Sequence, residues 1–240
     1  RAARAPLTWR KTHRFFDTLT AGRAAVRISA HLKGKNMTLF DSHAHYCDER
    51  FDDDRENLLA SMPDAGLVGI LNVPSDLDES ARCIELAAHY AFMWAAAGVH
   101  PQAADSWAGN SEGELRRLLS RPKCVALGEI GLDYVVGEVP REIQKSVFLK
   151  QLQIACEMDK PVIIHDREAH SDTFEMLKNS GCRGVLHCYS GSAELAREYV
   201  KFGWYISFTG VVTFKNAKKS LEAVRAVPMD KILIETDCPY

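Results

Sequence analysis

Leu39-Phe40-Asp41-Ser42-His43-Ala44-His45 opens with an apolar pair and closes on two histidines, the signature of a short strand that ends at a working site. Residues i and i+2 of a strand face the same way, so the two rings can close on one cation. Imidazole is a common ligand for divalent transition metals. A single His-x-His says little. Its weight depends on whether the same unit, an apolar run ending in ligand-type residues, returns along the chain.

It returns eight times after Met37. The apolar runs are Leu39-Phe40, Leu67–Val73, Phe92–Val99, Val125–Ile130, Val162–Ile164, Val185-Leu186, Trp204–Phe208 and Ile232–Ile234. Helical periodicity separates them around Asn57-Leu58-Leu59, Ile84–Tyr90, Val147–Met158, Phe174–Leu177, Leu195–Phe202 and Leu221–Val227. Ser111-x-x-Glu114 reads as a capping box that starts a further helix. Gly66, Gly181 and Gly203 stand where helices should stop before the next strand. Alternating strands and helices imply parallel pairing with right-handed crossovers. Eight such units close into an α/β (β/α)8 TIM-like barrel. A doubly wound sheet is the rival, but no Gly-x-Gly-x-x-Gly follows the first strand. No low-complexity linker interrupts 37–240, which reads as one domain. The sequence stops at Tyr240, so the expectation is a C-terminally truncated barrel lacking its final helix, with apolar surface exposed on strands one and eight.

With 46% hydrophobic and 26% charged residues, the composition is that of an ordinary globular chain. No run of about 18 apolar residues is present, which excludes a transmembrane helix. The 7 cysteines form no Cys-x-x-Cys and fit free thiols in a reducing, cytoplasmic setting. Residues 1–36 hold nine Lys/Arg against Asp17 alone, leaving 37–240 at a net charge of −10. Such a leader could be a transit peptide. Lacking an amphipathic repeat, it reads rather as a basic, disordered extension outside the fold.

Active sites of such barrels lie at the C-terminal ends of the strands. Those positions hold His43 and His45 (strand one), His100 (three), Glu129 (four), His165 (five), His187 (six) and Asp237 (eight). Asn72 and Ser75 mark the end of strand two, and Thr209-Gly210 that of strand seven. Five of the 9 histidines fall at strand ends, a clustering that independent placement would not produce. His43, His45 and Asp237 can hold one divalent cation and His165 and His187 a second, with the Glu129 carboxylate bridging both. Nitrogen and oxygen donors without thiolates suit Zn²⁺, Mn²⁺ or Mg²⁺ alike. The ordinary alternative is that Glu129 and Asp237 cap helices or pair with arginines.

Asp41-Ser42-His43-Ala44-His45, Gly98-Val99-His100-Pro101 and Gly128-Glu129-Ile130-Gly131-Leu132-Asp133-Tyr134 resemble the TatD family of metal-dependent deoxyribonucleases. So do Pro140-Arg141-x-x-Gln144, Pro161-Val162-Ile163-Ile164-His165, His187-Cys188-Tyr189-Ser190-Gly191, Ile206-Ser207-Phe208-Thr209-Gly210 and Glu235-Thr236-Asp237-Cys238-Pro239-Tyr240. The resemblance covers 37–240 and none of 1–36. It implies metal-dependent hydrolysis of DNA phosphodiesters, often from the 3′ end, with metal positions at His43, His45, Glu129, His165, His187 and Asp237. This chain departs from the family pattern at Gln102, where a basic residue or His is usual, and at Asp166, where Ser or Cys is. The family also continues past the last strand with a loop and helix.

The mechanism expected is an in-line displacement by a metal-activated water, with Asp237 taking its proton and Glu129 holding the metals. His100 and Arg167 are the candidates to hold the phosphate, against plain readings as a hydrogen-bonded loop histidine and a surface ion-pair arginine. Asp133 and Tyr134 read as stiffeners of the strand-four loop, and Cys47, Cys188 and Cys238 as packing. An acidic body favours capture of single-stranded DNA ends over gripping a duplex. Two other readings use the same residues. One is a D-aminoacyl-tRNA deacylase or other ester or amide hydrolase, although amide-cleaving relatives often bridge their metals with a carboxylated Lys. The other is an inactive truncated barrel serving as an interaction protein.

Overall fold

The computed structural model describes residues 38–240, so the basic segment 1–36 lies outside the described residues. Eight strands form one parallel sheet in sequential order: β1 (Leu39–Ala44), β2 (Leu67–Asn72), β3 (Met93–Ala97), β4 (Cys124–Asp133), β5 (Val162–Arg167), β6 (Gly184–Leu186), β7 (Tyr205–Phe208) and β8 (Ile232–Ile234). The helices between them are α1 (Arg55–Ser61), α2 (Leu77–His89), α3 (Ser111–Leu119), α4 (Arg141–Glu157), α5 (His170–Lys178), α6 (Ala193–Lys201) and α7 (Lys218–Ala226). No ladder joins β8 to β1. Two backbone bonds just past β8 close the ring instead, His45 N–H to Cys238 O at 2.8 Å and Asp237 N–H to His43 O at 2.9 Å. The result is a nearly closed (β/α)8 barrel. None of the described helices is long and apolar enough to cross a membrane.

Period-two alternation explains the two-layered core. Ile70, Ala95, Leu127, Val162, Ile164 and Ile206 face outward and pack on helix residues such as Leu115, Phe148, Leu152 and Tyr199. Leu71, Ala96, Ala126, Ile163, Val185 and Leu233 come from strands alone and fill the barrel interior. His165 shares a face with Ile163 and therefore points inward at the strand's end. Burying strands on both faces is what a helix-covered parallel sheet demands.

Local chemistry sets the ends of the elements. Asp76 and Ser192 cap α2 and α6, accepting from Glu79 N–H at 2.7 Å and Leu195 N–H at 3.2 Å. Gly66, Gly181 and Gly203 all take positive φ before the next strand, as their positions suggested. The capping box at Ser111 is not formed. Asn110 precedes the helix without a side-chain cap bond. Ser111 Oγ instead accepts from Ala108 N–H at 2.9 Å, and Glu114 pairs with Arg117, so local alternatives outcompeted the reciprocal bonds. Exposure of strands one and eight is uneven. Ile234 is 42% exposed, whereas Asp41 to Ala44 of β1 are buried.

Candidate metal centre

Glu129, on β4, lies at the middle of the cluster, and its two oxygens face different partners. Oε2 lies 3.4 Å from His43 Nε2 and 3.9 Å from His45 Nε2. Oε1 lies 2.8 Å from His165 Nδ1 and 2.7 Å from His187 Nε2. Asp237 closes the first side, with Oδ1 3.3 Å from His45 Nε2 and 3.6 Å from His43 Nε2. All six residues proposed from the strand ends thus meet in one place. Neither Glu129 nor Asp237 caps a helix or pairs with an arginine among the described residues.

Bonds on the far sides of the rings determine what the near sides offer. His45 Nδ1 is 2.8 Å from Val73 O, so its hydrogen belongs there and Nε2 is left with a lone pair facing the cluster. His165 Nε2 lies 3.2 Å from Asp133 Oδ2, which frees Nδ1 in the same way. His187 Nδ1 is 3.5 Å from Glu235 Oε1. Lone pairs and carboxylates crowded at these distances repel unless positive charge sits among them. His43 Nε2 and His45 Nε2 are only 3.0 Å apart, and His43 stacks on His187 at 3.9 Å between ring centroids. Among the described residues, three donor sets are compact enough to hold an ion: His43, His45 and Glu129; His43, His187 and Asp237; His100, Glu129 and His165. Imidazole and carboxylate donors of this kind fit divalent cations.

The electrostatics agree with an anionic centre ringed by imidazoles. Burial opposes the charge on Glu129, yet the surrounding imidazoles, His187 first, hold it well below the usual carboxylate range. Burial likewise resists protonation of His187, but Glu129 pulls its pKa well above the ordinary value. Asp237 is held low against its own burial, by the His45 hydrogen bond first.

His100 and Arg167 stand at the mouth. His100 Nδ1 accepts from Gln102 N–H at 3.1 Å and starts the 3-10 turn Pro101–Ser106, so the plain loop reading holds for one of its nitrogens. Burial drives its pKa down to about 3, so the ring is neutral and carries its hydrogen on Nε2, 3.9 Å from Glu129 Oε1. Arg167, at the end of β5, is exposed, with Nη1 4.0 Å from Asp133 Oδ2.

Several residues with a part in this geometry were not singled out by the strand-end rule. Asp133 does stiffen its loop, accepting from Val135 and Val136 N–H at 2.9 and 3.1 Å, but it also orients His165. Glu235 binds Cys188 N–H at 2.5 Å while facing His187. Buried Gln144 and Gln151 each act as a double clamp on backbone. Gln144 bonds Asp133 N–H and O at 2.9 Å each, and Gln151 bonds Val99 N–H at 2.8 Å and Val99 O at 2.9 Å. Cys47 and Cys238 pack against the main core, and Cys188 Sγ contacts Thr209 Oγ1 at 3.8 Å.

Comparison with known proteins gives a family match. The family described as "TatD related DNase" matches residues 40–240. The chain is 42% identical over 205 residues to the uncharacterized metal-dependent hydrolase YabD of Bacillus subtilis, covering 84% of this chain and 80% of that protein. It is 35% identical over 206 residues to the 3′-5′ ssDNA/RNA exonuclease TatD of Escherichia coli, covering 84% and 79%. Among solved structures, the TatD homologue YJJV of Escherichia coli superposes with a TM-score of 0.79 at 32% identity, over 84% of this chain and 79% of the other. A TatD family hydrolase from Entamoeba histolytica gives 0.77 at 26% identity, over 85% and 74%.

Proposed function

The chain belongs to the TatD family of metal-dependent hydrolases, and from that premise we propose that it removes nucleotides from single-stranded 3′ ends of DNA using two divalent cations. The observation that carries this reading is the division of Glu129, one oxygen toward His43 and His45 and the other toward His165 and His187. In this reading His43, His45 and Asp237 would hold one cation, His165 and His187 the other, and Glu129 would serve both. Bound there, divalent cations supply the charge that brings the pKa of water near neutrality and offsets that of the phosphate.

The remaining work falls to side chains. Asp237 is the more open of the two carboxylates, 20% exposed against 4% for Glu129, so it is the one that water can reach. It orients the attacking water and accepts its proton. Glu129, enclosed and ionised, keeps the imidazoles converged. His100 donates from Nε2 to a phosphate oxygen, and Arg167 swings from the rim to pair with the same group. Asp133 and Gln102, joined at 2.9 Å, hold the wall between those two contacts.

Within this proposal residues 37–240 are the hydrolase domain, and unpaired cysteines support a reducing compartment, the cytoplasm. The test compares 3′-labelled single-stranded DNA with D-aminoacyl-tRNA, with and without chelator, for wild type and Glu129→Ala. Shortening of the DNA that stops with chelator and with the substitution supports the proposal. Deacylation of the tRNA with DNA left intact replaces it with the ester reading. Hydrolysis of neither substrate by the metal-loaded chain points to the interaction protein.

A further inference from the structure

On the face of the barrel opposite the metal residues, two thiols from separate elements meet. Cys156 lies in the last turn of α4, and Cys182 lies in the segment between Ser180 and β6. Their Sγ atoms are 3.0 Å apart. Each sulfur has a second contact that keeps it facing its partner, Cys156 Sγ with Ser180 O at 3.0 Å and Cys182 Sγ with Leu152 O at 3.3 Å. The turn is itself fixed, since Ser180 Oγ accepts from Cys182 N–H at 3.1 Å. Cys156 is exposed and Cys182 half-buried, so an oxidant in solution reaches the first.

We propose that Cys156 and Cys182 are a redox modification site, joined by peroxides into an intrachain disulfide that staples α4 to the segment leading into β6. The Cys156 thiolate attacks one peroxide oxygen; the O–O bond breaks, and the departing hydroxide takes up the thiol's proton. This leaves a sulfenic acid on Cys156. Cys182 attacks that sulfur, the S–O bond breaks, and the second oxygen leaves as water with the Cys182 proton. Two thiols and one hydrogen peroxide become one disulfide and two waters. The order of attack follows from the surroundings. Burial first, and the hydrogen bond to Cys156 second, push the Cys182 thiol up to about 12, which suits it to the resolving role. Cys47 and Cys83 also touch, but Cys83 is fully buried and sheltered from an aqueous oxidant.

The site lies before β6, whereas His187 lies after it, so closing the bond leaves the metal residues in place. The experiment treats the full chain with hydrogen peroxide, then maps peptides and measures melting with and without dithiothreitol. The expected product has lost about 2 Da, one hydrogen from each thiol, and yields a peptide cross-linked between 156 and 182. Its melting temperature is higher by on the order of 5 °C, reversibly, because the cross-link restricts the unfolded chain. Cys156→Ser and Cys182→Ser, each melting as wild type in reductant, lose both the cross-link and the shift. Oxygen retained on Cys156 without a cross-link, pairing with another cysteine or a second chain, or a cross-link that leaves melting unchanged overturns the proposal.

Discussion

At the scale of single residues, two of the candidate histidine ligands, His45 and His165, depend on an acceptor behind them. Asp133 is the clearest case, because it fixes the face that His165 turns to Glu129. Asp133→Asn keeps the size and the loop but weakens that acceptor. Metal affinity and DNA cleavage should each fall about 10–100-fold while the chain stays folded; unchanged affinity by metal titration would contradict the orienting role. Away from the centre, His170 Nδ1 bonds Asp166 Oδ2 at 2.9 Å, which raises the His170 pKa above 6.5. That stabilisation is therefore complete below 6.5 and is lost as pH rises through the higher folded value. His170→Gln should cost roughly 0.5–1 kcal/mol near pH 5.5 and almost nothing near pH 9. Urea unfolding at the two pH values checks this, and a cost that grows with pH would contradict it. His43, His45, His165 and His187 were legible because they adjoin apolar runs. Asp133, Glu235, Gln144 and Gln151 act across elements, and no local spacing announces a bond such as that between Gln151 and Val99.

At the scale of elements, strand order and helix placement followed from hydrophobic periodicity, while termini did not always follow from local motifs. Ser192 caps α6 as a lone serine, whereas the four-residue motif at Ser111 makes different bonds. The difference is physical: a cap needs its oxygen free, and Ser111 has already given its own to Ala108. Ser192→Ala leaves Leu195 N–H without its partner and should lower unfolding free energy by about 1 kcal/mol. Ser111→Ala should cost no helix-cap stabilisation. Equal losses in parallel denaturant titrations would show that the assignment of caps is wrong. One glycine shows how tightly β4 and β5 meet. Gly131 takes φ of +147°, and a Cβ there would collide with the His165 carbonyl, so only glycine lets Glu129 and His165 come together.

At the scale of the whole molecule, the proposed function asks an acidic domain to engage a polyanion. Residues 37–240 carry a net charge of −10, so extended tracking along a phosphate backbone is disfavoured. Engagement of one or two phosphates should give a log–log salt slope on single strands of about −0.7 to −1.4. A slope steeper than about −4 in binding titrations would mean a long basic track and contradict capture of an end. The sequence shows this balance but not where the few cations stand; folding is what puts Arg167 at the rim, over Asp133.

Strand ends far apart in sequence build a single centre, in which Glu129 is proposed to serve two cations. Counting bound divalent ions per chain by elemental mass spectrometry, for wild type and Glu129→Gln after identical loading and dialysis, tests it most directly. About two ions are expected for wild type and a clear loss, to one or none, for the variant. A wild type that binds no ions, or a variant that keeps both, would contradict it.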